Sequence, residues 1–491
     1  MRKGLQSDII FWHHSIKHQK GARMSITRKI WRAQEKRQKK EDRKLIRRLQ
    51  LSDFTYGADD RNMTFSALGP QIVDFMRVLG LPGFLQEHLH IDKRKSTYSP
   101  ENLSSLMVLQ NILGYGRIEN SRALNQDEIL KEKLGMNEYP DPETFRNELL
   151  KYGSENIDEL FFVNRQLVDV LCRLMKPQEV DLHFDAKVIT VYGDQEGAEV
   201  GYNPQKNGRK SYHLKVCTLE PVGLILAIRL EPGNAVSATG FLEFYRKCIE
   251  AVPQHHLVVR TVRLDSGFFS EEHIEAFEGD ALFFDVVAKK YGNIRHWVSE
   301  CIPEEDFEEF YPDGSIMGAA FTFHPESWRG LRDFVVVRKP MAVKGNGQGE
   351  FFPKWRYQVI CHNREDMTPR EVWEDYNKRA RIELNIRDLS YEHFITQVPT
   401  GHFASNFAYF WHCVLSYNLA LIFRKYILSE EWQNARTSTL RKNLINIPGR
   451  LVNSSGKMIM RLMAGFPHIN VLQDVKERLL WFYRMLHPIP G

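Results

Sequence analysis

The sequence predicts an α/β protein whose sheet is covered by helices, preceded by an all-helical segment. Helical patterns run through residues 65–177, and β-branched, alternating segments begin at residue 179. Helical patterns then recur between the predicted strands. Strands that alternate with helices favour a single sheet with helices packed on it. We therefore expect an α/β region over residues 179–427 and a C-terminal region over 428–491.

The start of the chain is strongly basic. Residues 1–50 hold 16 Lys and Arg against 4 Asp and Glu, a net charge of +12, whereas the rest of the chain carries a net charge of −7. We expect residues 1–51 to form a basic arm, helical mainly over 26–51, and residues 52–64 to form a linker. Such an arm favours attraction to nucleic acid, and a solvated helix or tail is the alternative.

Residues 65–177 predict a small all-helical domain. Ser99-Pro100, Asp127 and Asp141-Pro142 are typical helix starts. The predicted helices are 71–79, 81–89, 100–114, 127–134, 141–152 and 157–175. A helix-turn-helix is compatible with this pattern, although no recognition helix can be singled out.

The predicted strands of the α/β region are 180–192, 211–218, 223–230, 257–264 and 282–288, with helices at 238–251 and 270–279. A β-rich insertion at about 289–365 follows, with strands at 321–323, 333–338 and 356–361 and a Gly-rich hairpin loop at 345–349. Beyond it we expect one long helix from Thr368 through Leu389, an apolar helix at 403–427, and a hairpin formed by 444–452 and 457–462.

Cysteine usage and hydropathy indicate a reduced, cytoplasmic protein without a membrane partner. The six cysteines are scattered without a C-x-x-C pair, which argues against a zinc ribbon or a disulfide scaffold. The apolar stretch at residues 407–423 has 17 residues, carries no charge and contains polar side chains. It is too short for a comfortable membrane span, so we expect a buried helix.

Three carboxylates stand where sheet enzymes place functional groups. Asp185 lies inside a predicted strand, where Asp is disfavoured, and Asp265 ends another strand before Ser-Gly. Glu383 lies on the long helix, bracketed by Arg379 and Arg387 four residues away on either side. A polar strand face, a turn cap and a surface charge ladder are the respective structural alternatives. Together, three carboxylates are the ligands that a pair of Mg²⁺ or Mn²⁺ ions prefers, and such pairs promote phosphoryl transfer.

Other candidate residues carry weaker signals. His183 and His213 are either metal ligands or structural strand histidines. Residues 202–204 with Arg209 and Lys210 combine rings and cations, which suits DNA-backbone contact or an ordinary polar hairpin. Tryptophans in or beside the insertion are candidates for base stacking or for the core: Trp297, Trp328 and Trp355.

An ordered set of short segments resembles the bacterial insertion-sequence transposases of the DDE type, in the branch that carries the group 1 DDE domain. The segments in the helical region are EHLHI (87–91), YSP (98–100) and GYGRIENSRAL (114–124). Those in the α/β region are FDA (184–186), QEG (195–197), GYNP (201–204), RLEPGN (229–234) and LDSGF (264–268). Tyr376-x-x-Arg379-x-x-x-Glu383 matches the Tyr–Arg–Glu signature of that family. The resemblance covers about residues 51–467.

The resemblance implies a ribonuclease-H-like catalytic core interrupted by the β-strand insertion. Asp185, Asp265 and Glu383 would be the catalytic, metal-binding residues, while Tyr376 and Arg379 would contact DNA near the scissile phosphate. Ser390 stands where the family has a Lys, and Arg387 is the candidate to take over its phosphate contact.

The implied activity is that of a transposase. It would bind terminal inverted repeats as a dimer or larger assembly in the bacterial cytoplasm, cut the ends and join them to target DNA. A catalytically inactive DNA-binding descendant and a nuclease without strand transfer are the alternatives.

Overall fold

The computed structural model describes residues 24–49, 60–92, 96–176, 178–289, 296–298, 302–325, 327–340 and 355–487. The chain divides into two compact units, Met1–Asp60 and Arg61–Gly491. The expected Gly-rich loop at 345–349, most of the linker and the first 23 residues of the basic arm lie outside the described residues.

The described part of the first unit is one helix, α1 (Met24–Leu49). Its side chains from residue 30 onward are almost all exposed, and Lys39 Nζ pairs with Glu35 Oε1 at 2.8 Å one turn away. Arg47 and Arg48 occupy its last turn, where cations complement the helix dipole. The helical part of the expected basic arm is therefore present.

The second unit begins with a short strand, β1 (Met63–Thr64), and a series of helices. Asp127 and Asp141 cap two of them, each accepting hydrogen bonds from backbone N–H groups of the first turn. The helices are α2 (Gly69–Val78), α3 (Leu81–His88), α4 (Pro100–Ile112), α5 (Ser121–Leu124), α6 (Glu128–Leu134), α7 (Pro142–Leu149) and α8 (Ser154–Arg173). Their apolar faces belong to the same hydrophobic core as the sheet that follows.

A mixed sheet forms the centre of the second unit. Its first six strands and the helices between them are β2 (Gln178–Thr190), β3 (Glu199–Val200), β4 (Lys210–Glu220), β5 (Leu224–Pro232), α9 (Phe241–Ala251), β6 (Leu257–Leu264), α10 (Glu271–Gly279) and β7 (Phe283–Val287). β4 pairs antiparallel with both β2 and β5, whereas β6 pairs parallel with β2 and β7. The five long strands thus follow the order β5-β4-β2-β6-β7.

The residues of the expected insertion continue this sheet. They form β8 (Glu308–Glu309), β9 (Met317–Phe323), β10 (Arg332–Pro340) and β11 (Trp355–His362). β11 pairs antiparallel with β7, and β10, β9 and β8 follow outward. The insertion is therefore β-rich as expected, and its strands extend the central sheet.

Two helices replace the one long helix expected after the insertion. They are α11 (Pro369–Asn377) and α12 (Ala380–Tyr391), and the expected apolar helix follows as α13 (Phe403–Ile422). The Lys378 and Arg379 N–H groups donate to carbonyls three residues back, at Asp375 and Tyr376. This tightening to a 3₁₀ turn interrupts the α-helix, so the expectation of one helix was wrong.

The two faces of the sheet pack against different helices. Phe184 of β2 contacts Phe241 of α9 with ring centroids 5.2 Å apart. On another side of the core, Asn418 of α13 donates to Asn164 of α8 at 2.8 Å and to the Ile225 carbonyl of β5 at 2.8 Å. Buried amides thereby satisfy the backbone at the junction of α8, α13 and β5.

The C-terminal region contains α14 (Thr437–Leu440), a hairpin of β12 (Gly449–Ser454) and β13 (Lys457–Arg461), and α15 (Ile469–Leu486). The first hairpin strand starts at Gly449 instead of residue 444, because residues 441–445 form a wide helical turn. β12 also pairs with β1, which ties the two ends of the second unit together. Among the helices that the structure describes, none is long and apolar enough to cross a membrane.

Candidate active site

Asp185 and Asp265 lie next to each other on neighbouring parallel strands. The last register pair of β2 and β6 is His183 with Arg263, and each Asp follows two residues later on the same side of its strand. The Ala186 N–H donates to Asp185 Oδ1 at 2.8 Å, and the Gly267 N–H donates to Asp265 Oδ1 at 2.9 Å. Asp265 therefore caps the turn after β6, as the structural alternative expects, while its functional role stays a prediction.

Arg379, in the turn between α11 and α12, joins the strands to the helix. Its Nη2 lies 3.0 Å from Asp185 Oδ1, and its Nη1 lies 2.9 Å from Glu383 Oε1. The Arg379 side chain is 8% exposed, compared with 60% for Glu383. The third carboxylate therefore stands at the solvent edge of a site whose arginine is buried.

The charge ladder on α12 ends at Glu383. Arg387 pairs with the adjacent Asp388, with Nη2 and Oδ1 3.4 Å apart, and its side chain is 40% exposed. Arg387 is thus accessible from outside the protein. Ser390 is buried and donates to the Ile386 carbonyl at 2.7 Å.

The protonation of the two aspartates reflects burial and mutual repulsion. Burial raises the pKa of Asp185 to about 6, against the attraction of Arg379, and Asp265 and Glu383 add to the rise. Burial also raises the pKa of Asp265, with Arg379 and the Gly267 hydrogen bond opposing. Buried, crowded carboxylates of this kind gain from a bound cation.

Burial alone would lower the pKa of Arg379, but the carboxylates of Asp185 and Asp265 outweigh it and the pKa is raised. The guanidinium is therefore a permanent cation at the centre of the site. Tyr376 is 7% exposed and packs in a small apolar cluster with Trp373 and Phe310. Burial raises its pKa to about 12, so its hydroxyl keeps its proton at neutral pH.

The donor set is chemically suited to hard divalent cations. Asp185, Asp265 and Glu383 offer carboxylate oxygens, which Mg²⁺ and Mn²⁺ prefer. Within the described ranges, however, no group of three or more His, Cys, Asp or Glu side chains is already arranged as a metal site. The Arg379 guanidinium instead forms ion pairs with two of the three carboxylates, those of Asp185 and Glu383.

The weaker candidates lie away from the three carboxylates or serve the core. His213 contacts Ser237 Oγ at 3.5 Å, and burial lowers its pKa to about 4. Trp328 packs on Phe269 with ring centroids 4.8 Å apart. Trp297 packs on Phe323, and Trp355 lies under the Arg338 guanidinium. These tryptophans therefore have protein partners.

Arg209 and Lys210 lie at the start of β4, where Arg209 is exposed and Lys210 Nζ pairs with Asp194 Oδ1 at 2.8 Å. The hydrogen bond that Lys210 donates to Asp194 raises the pKa of Lys210. Among the hydrogen bonds and ion pairs of the described residues, neither Arg209 nor Lys210 contacts Asp185, Asp265 or Glu383.

Sequence reasoning missed a group of buried charges beside this site. Arg263 precedes Asp265 by two residues, and Asp375 precedes Arg379 by four. Arg263 Nη2 donates to Asp375 Oδ2 at 2.6 Å. The spacing was visible in the sequence, but only the packing of α11 on the sheet pairs these residues.

A comparison with known protein families identifies the class of protein. The family model described as transposase DDE domain, group 1, matches residues 66–482. The chain belongs to this family, which supports a DNA transposase as the class of protein.

Among solved structures, the chain is similar to the piggyBac transposase in its synaptic complex with hairpin DNA, determined by cryo-EM. The sequence identity is 10% and the TM-score 0.40, with 87% of this chain and 83% of that chain covered. A comparison with curated proteins finds no match.

Proposed function

We propose that the chain is a DNA transposase with a ribonuclease-H-like core that cuts the ends of its element and joins them to target DNA. One observation carries the proposal: Asp185 and Asp265 end up side by side on parallel strands, and Arg379 connects them to Glu383. The strand order β5-β4-β2-β6-β7, with an antiparallel first half and a parallel second half, supports the core topology.

Two Mg²⁺ or Mn²⁺ ions would be held by Asp185, Asp265 and Glu383. Such ions would supply activation of the attacking oxygen and stabilisation of the leaving oxygen in phosphoryl transfer. The buried aspartates with raised pKa values favour a cation at this point. The exposed position of Glu383 supports a role at the side from which DNA approaches.

The cationic side chains are assigned to DNA. Arg379 releases one carboxylate and contacts the phosphate near the cut, with Tyr376 packed beneath it. Arg387, exposed one turn beyond Glu383, contacts a neighbouring phosphate. Arg209 and Lys210 hold the backbone farther along, since guanidinium and ammonium groups position DNA without reading its sequence.

The remaining regions are assigned to recognition of the ends. The basic arm, with α1 and its surplus of Lys and Arg, and the helical region 65–177 bind the terminal inverted repeats. A dimer or larger assembly in the bacterial cytoplasm then holds two ends together. After cleavage, the freed 3′-hydroxyl of the element attacks a phosphate of the target DNA.

The test is a cleavage and joining assay on DNA that carries the sequences flanking the gene. We expect Mg²⁺-dependent nicking at the ends and transfer of labelled 3′ ends into a plasmid. Asp185→Asn, Asp265→Asn and Glu383→Gln should each abolish both reactions while leaving DNA binding intact. Nicking without transfer would identify a nuclease, and binding without nicking would identify an inactive descendant. Cleavage retained by all three variants would contradict the proposal.

A further inference from the structure

A buried ionic cluster lies directly beside the candidate active site. It consists of five residues that are each 5% exposed or less: His183, Arg263, Asp285, Arg364 and Asp375. They come from β2, β6, β7, the turn after β11, and α11. Charged groups this deeply buried are costly unless each is paired, so their contacts need an explanation beyond chance.

Asp375 is the hub of the buried ionic cluster. Its Oδ2 accepts from Arg263 Nη2 at 2.6 Å and from Arg364 Nη2 at 3.1 Å, and its Oδ1 accepts from Lys378 Nζ at 2.5 Å. Asp285 completes the cluster, with Oδ2 3.4 Å from Arg263 Nε. The helix α11 is thereby held to β6 and to the turn after β11 through one carboxylate.

Arg263 is held equally firmly from the sheet side. Its Nη1 donates to Asp181 Oδ2 at 2.5 Å and lies 3.0 Å from His183 Nε2. Asp181 and His183 are on the same face of β2 as Asp185. Contacts within the sheet therefore orient the Arg263 guanidinium independently of α11, and Asp375 of α11 binds to this oriented group.

The charges of β6 and of the helices match in spacing and sign, and the anion that pairs with Arg379 is Asp185, which lies beside Asp265 on the neighbouring strand. Arg263 and Asp265 are two residues apart on an extended chain, about 6.7 Å. Asp375 and Arg379 are four residues apart on a helical path, about 6 Å. Along the strand the cation Arg263 precedes the anion Asp265. Along the helices the anion Asp375 precedes the cation Arg379. A shift of one helical turn would place Arg379 against Arg263, with like charges facing each other.

We propose that Arg263 and Asp375 are positioning residues, whose buried ion pair sets the register of α11 and α12 on the sheet. The correct register brings Arg379 to Asp185 and places Glu383 at the same site. Buried ion pairs contribute little net stability compared with apolar packing, and a register role accounts for their presence. The metal-binding consequence rests on the proposed function, whereas the register itself does not.

The test uses the full-length chain with Arg263→Lys and Asp375→Asn. Arg263→Lys keeps the charge but removes the planar fork that holds Asp181 and Asp375 together. Asp375→Asn removes the charge that the two arginines share. Arg338→Lys is the matched control, because Arg338 is also buried at 2% exposure and pairs with Glu304, in the part of the chain that forms β8–β11.

Two measurements are made on each folded variant. Hydrogen exchange of peptides covering residues 369–391 reports how firmly α11 and α12 are held, without any metal. Electron paramagnetic resonance of free Mn²⁺ reports metal affinity. We expect at least tenfold faster exchange in 369–391 and about 10- to 100-fold weaker Mn²⁺ binding in both variants, as for other residues that orient metal ligands. The control and Asp375→Glu, which keeps the charge, should stay closer to the wild type.

The inference would be overturned if Arg263→Lys and Asp375→Asn both kept the hydrogen-exchange rates and the Mn²⁺ affinity of the wild type. Equal changes in the Arg338→Lys control would also overturn it, since they would reflect general loosening. If Asp375→Asn does not fold, Arg263→Lys decides alone. A wild-type protein that binds no Mn²⁺ would contradict the proposed metal site only, and the exchange data would still test the register.

Discussion

Replacing Asp185 with Asn should make the metal-free protein more stable at neutral pH, although it removes a candidate catalytic residue. Burial raises the pKa of Asp185 from 3.8 to about 6, and this value already includes the attraction of Arg379. The ionised carboxylate therefore lowers the free energy of unfolding by about 3 kcal/mol above pH 6, because each pKa unit corresponds to about 1.4 kcal/mol. Asn stays neutral at every pH and avoids this cost.

The sign depends on pH in a defined way. Well below pH 3.8 the carboxyl is protonated in both the folded and the unfolded chain, so the variant gains nothing from this effect. As pH rises from 4 to 6, the wild type loses stability and the variant does not. With an unfolding entropy of about 2 cal/mol/K per residue, 3 kcal/mol corresponds to an increase in Tm of about 3 °C.

The assay is thermal unfolding of wild type and Asp185→Asn in EDTA, from pH 4.5 to pH 7.5. Asp194→Asn is the control, since Asp194 is 94% exposed and pairs with Lys210, which lowers its pKa. The control should gain no stability at neutral pH. A lower Tm for Asp185→Asn at pH 7.5, or a gain of the same size at pH 4.5, would refute the reasoning.

Three further outcomes are expected. Mn²⁺ affinity of the wild type, measured by titration, should fall about tenfold per pH unit below pH 6, because Asp185 must lose its proton to bind metal. Arg387→Ala should weaken DNA binding, measured by fluorescence anisotropy, and should lower the slope of log affinity against log salt concentration by about one. Mn²⁺ affinity should stay unchanged, because Arg387 is exposed and, among the ion pairs of the described residues, pairs only with Asp388. Asp141→Ala should lower the free energy of unfolding by about 1 kcal/mol in denaturant titration, since its carboxylate caps α7 through two N–H groups.

Local sequence signals were sufficient for most elements of the fold. The helix begins at its N-cap Thr368 as expected, and Thr368-Pro369-Arg-Glu371 forms a capping box in which Thr368 and Glu371 are each bonded to the other's backbone. The β-branched segments formed strands because at least one side of each is buried, as at Leu182 and Phe184. Both signals depend on residues a few positions apart, which a sequence displays directly.

Features that depend on distant residues were not predictable. The break at Lys378 and Arg379 follows no Pro or Gly, and it coincides with the points where Asp375 and Arg379 reach into the sheet. The pairing of β11 with β7 joins residues far apart in the chain, so the insertion could not be recognised as an extension of the sheet. The ion pair of Arg263 and Asp375 likewise exists only once α11 has packed.

The candidate site likewise combines features that local sequence signals predicted with features that depend on distant residues. Asp185 could be singled out because an Asp inside a strand is disfavoured, and Asp265 because sheet enzymes place functional groups at strand ends. Their shared partner Arg379 was visible as part of a charge ladder, but its burial between Asp185 and Glu383 required the fold. Tyr376 was expected to contact DNA, and that expectation now stands beside the finding that its ring is packed in an apolar cluster.

The central claim is that Asp185, Asp265 and Glu383 hold divalent cations for DNA cleavage. Anomalous diffraction from crystals of the protein with end DNA and Mn²⁺ tests this most directly. Two manganese peaks between these three carboxylates, with Arg379 turned from Asp185 toward a phosphate, are the predicted result. A protein that cuts the DNA in the crystal while its manganese lies elsewhere would contradict the account.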